Sequence, residues 1–145
     1  MDSDKTRPLE KTGILIVDDQ PTKCMGLAQI INEQADLVVR LESENIAEAL
    51  DAVEKKQVDF AIVEVLSPAA KNDKLEKIKL AHPDLPVLIL SMRGMLLNEK
   101  GQIPNYQVND QIIKVLRYVQ SLLKSKILGF TVFVEIEKVG QPTKQ

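Results

Sequence analysis

The chain has 145 residues, of which 44% are hydrophobic, and this is enough for one globular domain with a packed core. A net charge of -2 excludes the basic footprint of a nucleic-acid-binding protein, and a single cysteine excludes an internal disulfide and a cysteine-based zinc site. No apolar run reaches membrane-spanning length and residues 1–12 do not resemble a signal peptide, so we expect a cytoplasmic protein.

Strands and helices are predicted to alternate through the first two thirds of the chain. Apolar runs predict strands at 13–17, 37–41, 60–66 and 85–90, and helical spacing predicts helices at 21–33, 45–55 and 72–81. This alternation is typical of a parallel sheet with helices on both faces. The polar residues 1–12 are predicted to form a flexible lead-in.

The pattern after Ser91 is less regular. Residues 93–100 are compatible with one short helix, residues 106–108 with a short fifth strand, and residues 111–124 with an amphipathic helix. Alternating apolar and polar residues at 130–137 predict a half-buried extra strand. That strand could complete the core, extend the edge of the sheet or pair with another chain. We therefore divide the chain into a lead-in (1–12), a main domain (13–124) and a C-terminal extension (125–145).

Two adjacent acids, Asp18 and Asp19, follow the first strand directly. One of them could simply cap the helix that begins near Pro21, although a cap needs only one acid. In a parallel sheet, the ends of the first, third and fourth strands meet at one edge, which would bring Glu64 and Ser91 beside the two acids. Three carboxylates in one pocket favour a divalent cation such as Mg²⁺, or else one acid with a raised pKa.

Four stretches of this sequence resemble the receiver domain of bacterial two-component response regulators. They are residues 14–21 (ILIVDDQP), 48–50 (EAL), 59–68 (DFAIVEVLSP) and 82–92 (HPDLPVLILSM). The resemblance implies a flavodoxin-like, doubly wound α/β fold with a parallel five-stranded sheet, to which the C-terminal strand would be an addition. It also implies a place in phosphorelay signal transduction.

The resemblance assigns roles to the residues at the strand ends. Asp18 and Asp19 match the family's Mg²⁺-binding acids, and Ser91 matches the hydroxyl that binds the phosphoryl group. The phosphoacceptor position, which is an Asp in the family, holds Glu64. Together, Asp18, Asp19 and Glu64 form the expected metal site.

The family's fifth strand ends in a switch aromatic residue followed by a lysine. The residues that best match this pattern are Tyr106 and Asn109, so the expected lysine is replaced by an amide. A rival alignment places the lysine at Lys114, inside a helical pattern. Glu64 reaches about a bond length further than an Asp would, and the loss of a lysine removes a charge that offsets the phosphoryl group, so we expect poor phosphorylation.

Three functions are compatible with a receiver-like chain that departs from the family pattern at Glu64 and Asn109. The first is a degenerate receiver that acts without phosphorylation, by binding a signalling protein such as a histidine kinase or by forming a homodimer. Under this hypothesis, Glu64 either imitates the phosphorylated state or lies in a pocket that has lost its function and points to water. The second is a receiver that a histidine kinase does phosphorylate. The third is a metal-dependent, phosphatase-like enzyme with Asp18 as nucleophile, for which fold resemblance alone supplies no active site. No direct nucleic-acid or membrane partner is expected.

Overall fold

A computed structural model of the chain describes residues 11–18, 27–65, 73–91 and 106–135. Within these ranges, strands and helices alternate. The strands are β1 (Thr12–Asp18), β2 (Leu37–Ser43), β3 (Phe60–Val65), β4 (Val87–Ser91) and β5 (Thr131–Glu135). The helices are α1 (Leu27–Asn32), α2 (Ile46–Glu54), α3 (Asp73–Ala81) and α4 (Tyr106–Lys124).

The five strands form one parallel sheet in the order β2-β1-β3-β4-β5. β1 and β3 lie at its centre, and their apolar side chains from Ile14 to Val17 and from Phe60 to Val63 are fully buried. A strand that is covered on both faces needs no polar side, which explains why these runs show no alternation. The predicted doubly wound α/β fold is therefore confirmed.

Helices cover both faces of the sheet. On the first face, α1 and α4 pack against side chains such as Ile16, Ile62 and Leu90. On the second face, α2 and α3 pack against Leu15 and Val63. Neighbouring residues of one strand point to opposite faces, so each strand contributes to both layers of the core.

Local sequence signals account for the helix boundaries. Asn45 precedes α2, and its side-chain oxygen accepts hydrogen bonds from the backbone N–H groups of Ala47 and Glu48. This arrangement satisfies two of the donors that a helix N-terminus leaves without partners. In α4, Ile112, Leu116 and Val119 follow helical spacing and are buried against the sheet.

None of the helices in the described ranges is long and apolar enough to cross a membrane.

Two element predictions after β4 are corrected by the structure. The short strand predicted at 106–108 is wrong, because these residues form the start of α4. The strand predicted at 130–137 exists as β5, but it is the fifth strand of the sheet, not an addition to five others. The helix predicted at 93–100 and the first part of the helix predicted at 21–33 lie outside the described residues.

Candidate functional site

The carboxyl ends of the parallel strands meet at one edge of the sheet. Asp18 is in register with Glu64 on the neighbouring strand β3, and Val65 is in register with Ser91 on β4. Neighbouring strands lie about 4.8 Å apart, so these residues are close in space although they are far apart in the sequence. The strand ends that carry Asp18, Glu64 and Ser91 therefore lie at one edge, as expected. Ser91 is one residue out of register with Glu64, so these two side chains point to opposite faces of the sheet. Asp19 lies outside the described residues.

Glu64 and Ser91 are two of the four buried polar side chains among the described residues, the others being Ser43 and Gln120. Glu64 is 8% exposed and its Oε2 atom is buried, and Ser91 is fully buried. Acids are almost never this deeply buried unless other groups compensate for the charge. A buried carboxyl and a buried hydroxyl at the ligand-binding edge of an α/β sheet are typical of a site, because most polar side chains remain at the surface.

The residues at this edge fit a hard divalent cation through their donor chemistry. Two carboxyl-bearing residues in register, Asp18 and Glu64, can supply the oxygen ligands that Mg²⁺ prefers. The described ranges alone contain no group of three potential metal-binding side chains. The metal site predicted from Asp18, Asp19 and Glu64 therefore stays a prediction, with two of its members placed side by side.

The structure removes the basis for assigning Tyr106 and Asn109 to the end of a strand. Both residues lie in α4, and so does Lys114, which is an exposed residue in the middle of that helix. The strand that lies beside β4 is β5, and its last residue, Glu135, is in register with Ser91. The last described residue of this strand is therefore an acid. The next lysine along the chain, Lys138, lies outside the described residues.

A polar network at the other end of the strands, where β1 and β2 begin, was not predicted from the sequence. Arg117 of α4 donates to both carboxylate oxygens of Asp36, at 2.9 and 2.8 Å, and to Gln120. Gln120 in turn donates to Asp36 and to Thr12 at the start of β1. The hydrogen bond from Arg117 lowers the pKa of the Asp36 carboxyl below its ordinary value.

This network holds α4 against the sheet, because it joins the helix to the residues that precede β2 and begin β1. Arg117 and Asp36 are 81 positions apart, and no local motif signals that they meet. The sequence shows only that the two residues carry opposite charges. Charged residues on a helix normally face solvent, so the charges did not indicate that these residues pair.

Comparison with known proteins gives one family. The family model described as the response regulator receiver domain matches residues 14–127. The heme response regulator HssR of Staphylococcus saprophyticus is 31% identical over 116 residues, which are 79% of this chain and 50% of that protein. The chain thus spans about half the length of this curated relative.

Two solved structures share the fold. The response regulator domain of Thermotoga maritima CheB has a TM-score of 0.52 at 19% identity, over 75% of this chain and 96% of that one. A structure of two RcsB dimers bound to two parallel DNAs has a TM-score of 0.50 at 16% identity, over 84% of this chain and 64% of that one. At these identities the likeness shows the flavodoxin-like fold alone, and it agrees with the predicted fold class.

Proposed function

Since this chain belongs to the response regulator receiver domain family, we propose that it is a signalling and protein-interaction module whose state does not depend on phosphorylation. Receiver domains in general are non-enzymatic modules of two-component signalling that interact with partners such as kinases and bind Mg²⁺ at the phosphorylation site. We place this chain in such a pathway in the cytoplasm, with a signalling protein, a histidine kinase among the candidates, as its partner.

The observation that carries the proposal is the buried Glu64 at the end of β3, in register with Asp18. Phosphoryl transfer depends on alignment of the attacking oxygen and on neutralisation of the transferring group. The extra methylene of Glu64 moves its carboxylate about a bond length from where an aspartate would hold it. A displacement of about 1 Å can lower a rate on the order of a hundredfold.

The charges at this edge support the same conclusion. Glu135, the last described residue of β5, is in register with Ser91 and adds no positive charge to this edge. A phosphoryl group on Glu64 would add negative charge beside the position of Asp18. Without a compensating cation this repulsion opposes phosphorylation. Binding of a partner protein that adds no charge to this site is not opposed in this way.

Mg²⁺ would act here as a structural counter-ion. Its ligands would be the carboxylates of Asp18 and Glu64, together with Asp19 as the resemblance implies. When bound, it would supply positive charge to the edge of the sheet. These residues of the chain would hold the ion and fix the strand ends against one another.

Treatment with acetyl phosphate and Mg²⁺, followed by intact mass measurement, tests the proposal. The unaltered chain is expected to gain no phosphoryl group, whereas Glu64→Asp is expected to react on the order of a hundred times faster. Glu64→Gln controls for loss of the carboxylate, and Lys138→Gln in the Glu64→Asp background shows whether that lysine contributes. A phosphoryl group on Glu64 or Asp19 of the unaltered chain would contradict the proposal. A Glu64→Asp chain that reacts no faster than the unaltered chain would contradict the role assigned to the reach of Glu64.

A further inference from the structure

A cavity of about 430 Å³ lies at the end of the sheet where β1 and β3 begin, opposite to the edge that carries Glu64. Its described lining is polar throughout and exposed, and consists of Lys11, Arg40, Lys56, Gln57 and Asp59. Three cationic side chains against one carboxylate give this cavity a local excess of positive charge, although the whole chain has a net charge of -2. Such a concentration of one sign of charge in a concave site attracts ions of the opposite sign.

Arg40 owes its place in the cavity to a bulge in β2. Val39 is in register with Ile14, and Leu41 is in register with Leu15, so Arg40 is an extra residue between two paired positions. Val39 packs in the core of the first face, whereas Leu41 packs in the core of the second face. A bulge changes the direction of a side chain and is common next to binding sites.

Gly13 leaves room for the Arg40 side chain to lie across the start of β1. A Cβ atom at Gly13 would lie 3.1 Å from Cγ and 3.3 Å from Nε of Arg40. These distances are shorter than ordinary van der Waals contact, so a larger residue at position 13 would displace the arginine. The Gly13 N–H also donates to Oδ2 of Asp59 at 2.7 Å, which engages one oxygen of the only acid in the described lining.

Lys56 adds a cation at a backbone position that glycine usually occupies. Its φ is 57°, and it follows the last turn of α2, where a left-handed residue is most often glycine. Within the described ranges, no carboxylate forms an ion pair with Lys56, Arg40 or Lys11. The neighbouring Lys55, by contrast, pairs with Asp51 at 3.0 Å. The three cations of the cavity are therefore available to a ligand.

From this arrangement we propose that the cavity binds a small anion with two or more phosphoryl groups, of which inorganic pyrophosphate is the simplest. The planar guanidinium of Arg40 suits phosphate oxygens, and the two lysines add point charges. These cations come from three separate segments of the chain, so an anion with several charged oxygens can contact more of them than a single phosphate can. The described lining offers no apolar surface to a nucleoside or a lipid chain.

An NMR titration with inorganic pyrophosphate tests the site in the absence of Mg²⁺, so that no metal carries the anion to the carboxylate edge. The amides of Gly13 and Lys56 are expected to shift in a saturable manner, while those of Glu64 and Ser91 stay unchanged. At equal ionic strength, phosphate is expected to bind at least about threefold more weakly, and adenosine diphosphate no more tightly than pyrophosphate. The absence of a saturable shift at millimolar pyrophosphate, or tighter binding of adenosine diphosphate, would overturn the proposal.

Charge variants test which side chains bind the anion. Arg40→Gln and Lys56→Gln are each expected to weaken pyrophosphate binding about three- to tenfold, because each removes a charge-assisted contact. Lys55→Gln is the matched control, since it removes the same charge one residue away but outside the cavity lining, and it should change the affinity less than about twofold. Asp59→Asn is expected to strengthen binding, because it removes the opposing charge and its amide oxygen can still accept from the Gly13 N–H. Equal losses in Lys55→Gln and Lys56→Gln would refute a defined site.

Lys56→Gly separates ligand binding from folding. Glycine adopts a positive φ without strain, so this variant is expected to be at least as stable as the unaltered chain in urea unfolding. It should nevertheless bind pyrophosphate as weakly as Lys56→Gln does. A Lys56→Gly chain that binds as tightly as the unaltered chain would contradict the role of Lys56 in the site.

Discussion

At the scale of single residues, Glu64 determines what the strand-end pocket can do. It is buried beside the position of Asp18, and two carboxylates at neighbouring strand positions repel each other unless a proton or a cation lies between them. The family pattern places an aspartate at this position. The substitution keeps the charge and changes the reach of the side chain, and position is what phosphoryl transfer depends on most.

Replacing Glu64 by glutamine is expected to reduce the stabilisation that added Mg²⁺ gives to the unaltered chain, because the change removes one of the proposed carboxylate ligands. Urea unfolding with and without Mg²⁺ measures the effect. Glu76→Gln, at an exposed position on α3, serves as the control and should leave the Mg²⁺-dependent stabilisation unchanged. An Mg²⁺ response of Glu64→Gln equal to that of the unaltered chain would contradict a metal site at Glu64.

Gly129 is a second residue with a specific structural demand. Its φ is +64°, and a Cβ atom there would lie 2.5 Å from the carbonyl oxygen of Pro83. Its own N–H donates to the Asp84 carbonyl oxygen at 3.0 Å, which joins the turn before β5 to the turn before β4. Only glycine meets both requirements, since other residues rarely adopt this backbone conformation.

Gly129→Ala is expected to destabilise the chain by about 1–3 kcal/mol, because it adds a clash to an unfavourable φ. Lys126→Ala is the matched control. Lys126 has a φ of 60° in the same turn but an exposed side chain, so its truncation should change the stability by less than about 0.5 kcal/mol. Thermal or urea unfolding compares the two variants. Equal losses would mean that contact with Pro83 is not what restricts residue 129.

At the scale of elements, the sequence of α4 did not predict which face of the sheet the helix covers. Its apolar residues Ile112, Leu116 and Val119 show that it packs on the sheet but not which face it covers. The network from Arg117 to Asp36 and Gln120 ties α4 to the first face, beside α1. The second face of β5 is therefore left with an exposed phenylalanine.

The Asp36–Arg117 pair makes a pH-dependent contribution to stability. The pKa of Asp36 is lowered in the folded chain, so the contribution is fully present above the unfolded value of about 3.9 and is lost as the pH falls through the lower folded value. Both side chains are nearly half exposed, at 41% and 48%, so we expect the pair to contribute no more than about 1 kcal/mol.

Arg117→Ala is expected to weaken the loss of stability below about pH 4, because Asp36 would then titrate near its ordinary pKa. A double-mutant cycle with Asp36→Asn, carried out at pH 7 and at pH 2–3, isolates the coupling between the two side chains. The coupling should weaken as the pH falls towards the lowered pKa of Asp36 and shrink as salt is added. A coupling that is unchanged at low pH would argue against an ionic interaction.

At the scale of the whole molecule, the sheet order places the most buried strands in its interior, and β5 is the outermost strand on its side among the described residues. Local stability follows burial, so the amides of β1 and β3 are expected to exchange with solvent most slowly among the described residues. The amide of Phe133 in β5, whose side chain is 47% exposed, should exchange more quickly. Hydrogen exchange followed by NMR measures this. Exchange at Phe133 as slow as in β1 and β3 would contradict the expectation.

The sequence by itself determined the layered α/β architecture, because uninterrupted apolar runs and amphipathic stretches are local patterns that burial imposes on each element. It also located Asp18, Glu64 and Ser91 at strand ends, since parallel strands necessarily end at the same edge. Only the tertiary structure decided that residues 106–108 belong to a helix and that Thr131–Glu135 is the fifth strand. Short segments have weak local preferences, and the free position beside β4 is a property of the assembled sheet. For the same reason, the meeting of Arg117 with Asp36 depends on a contact between residues that are far apart in the chain.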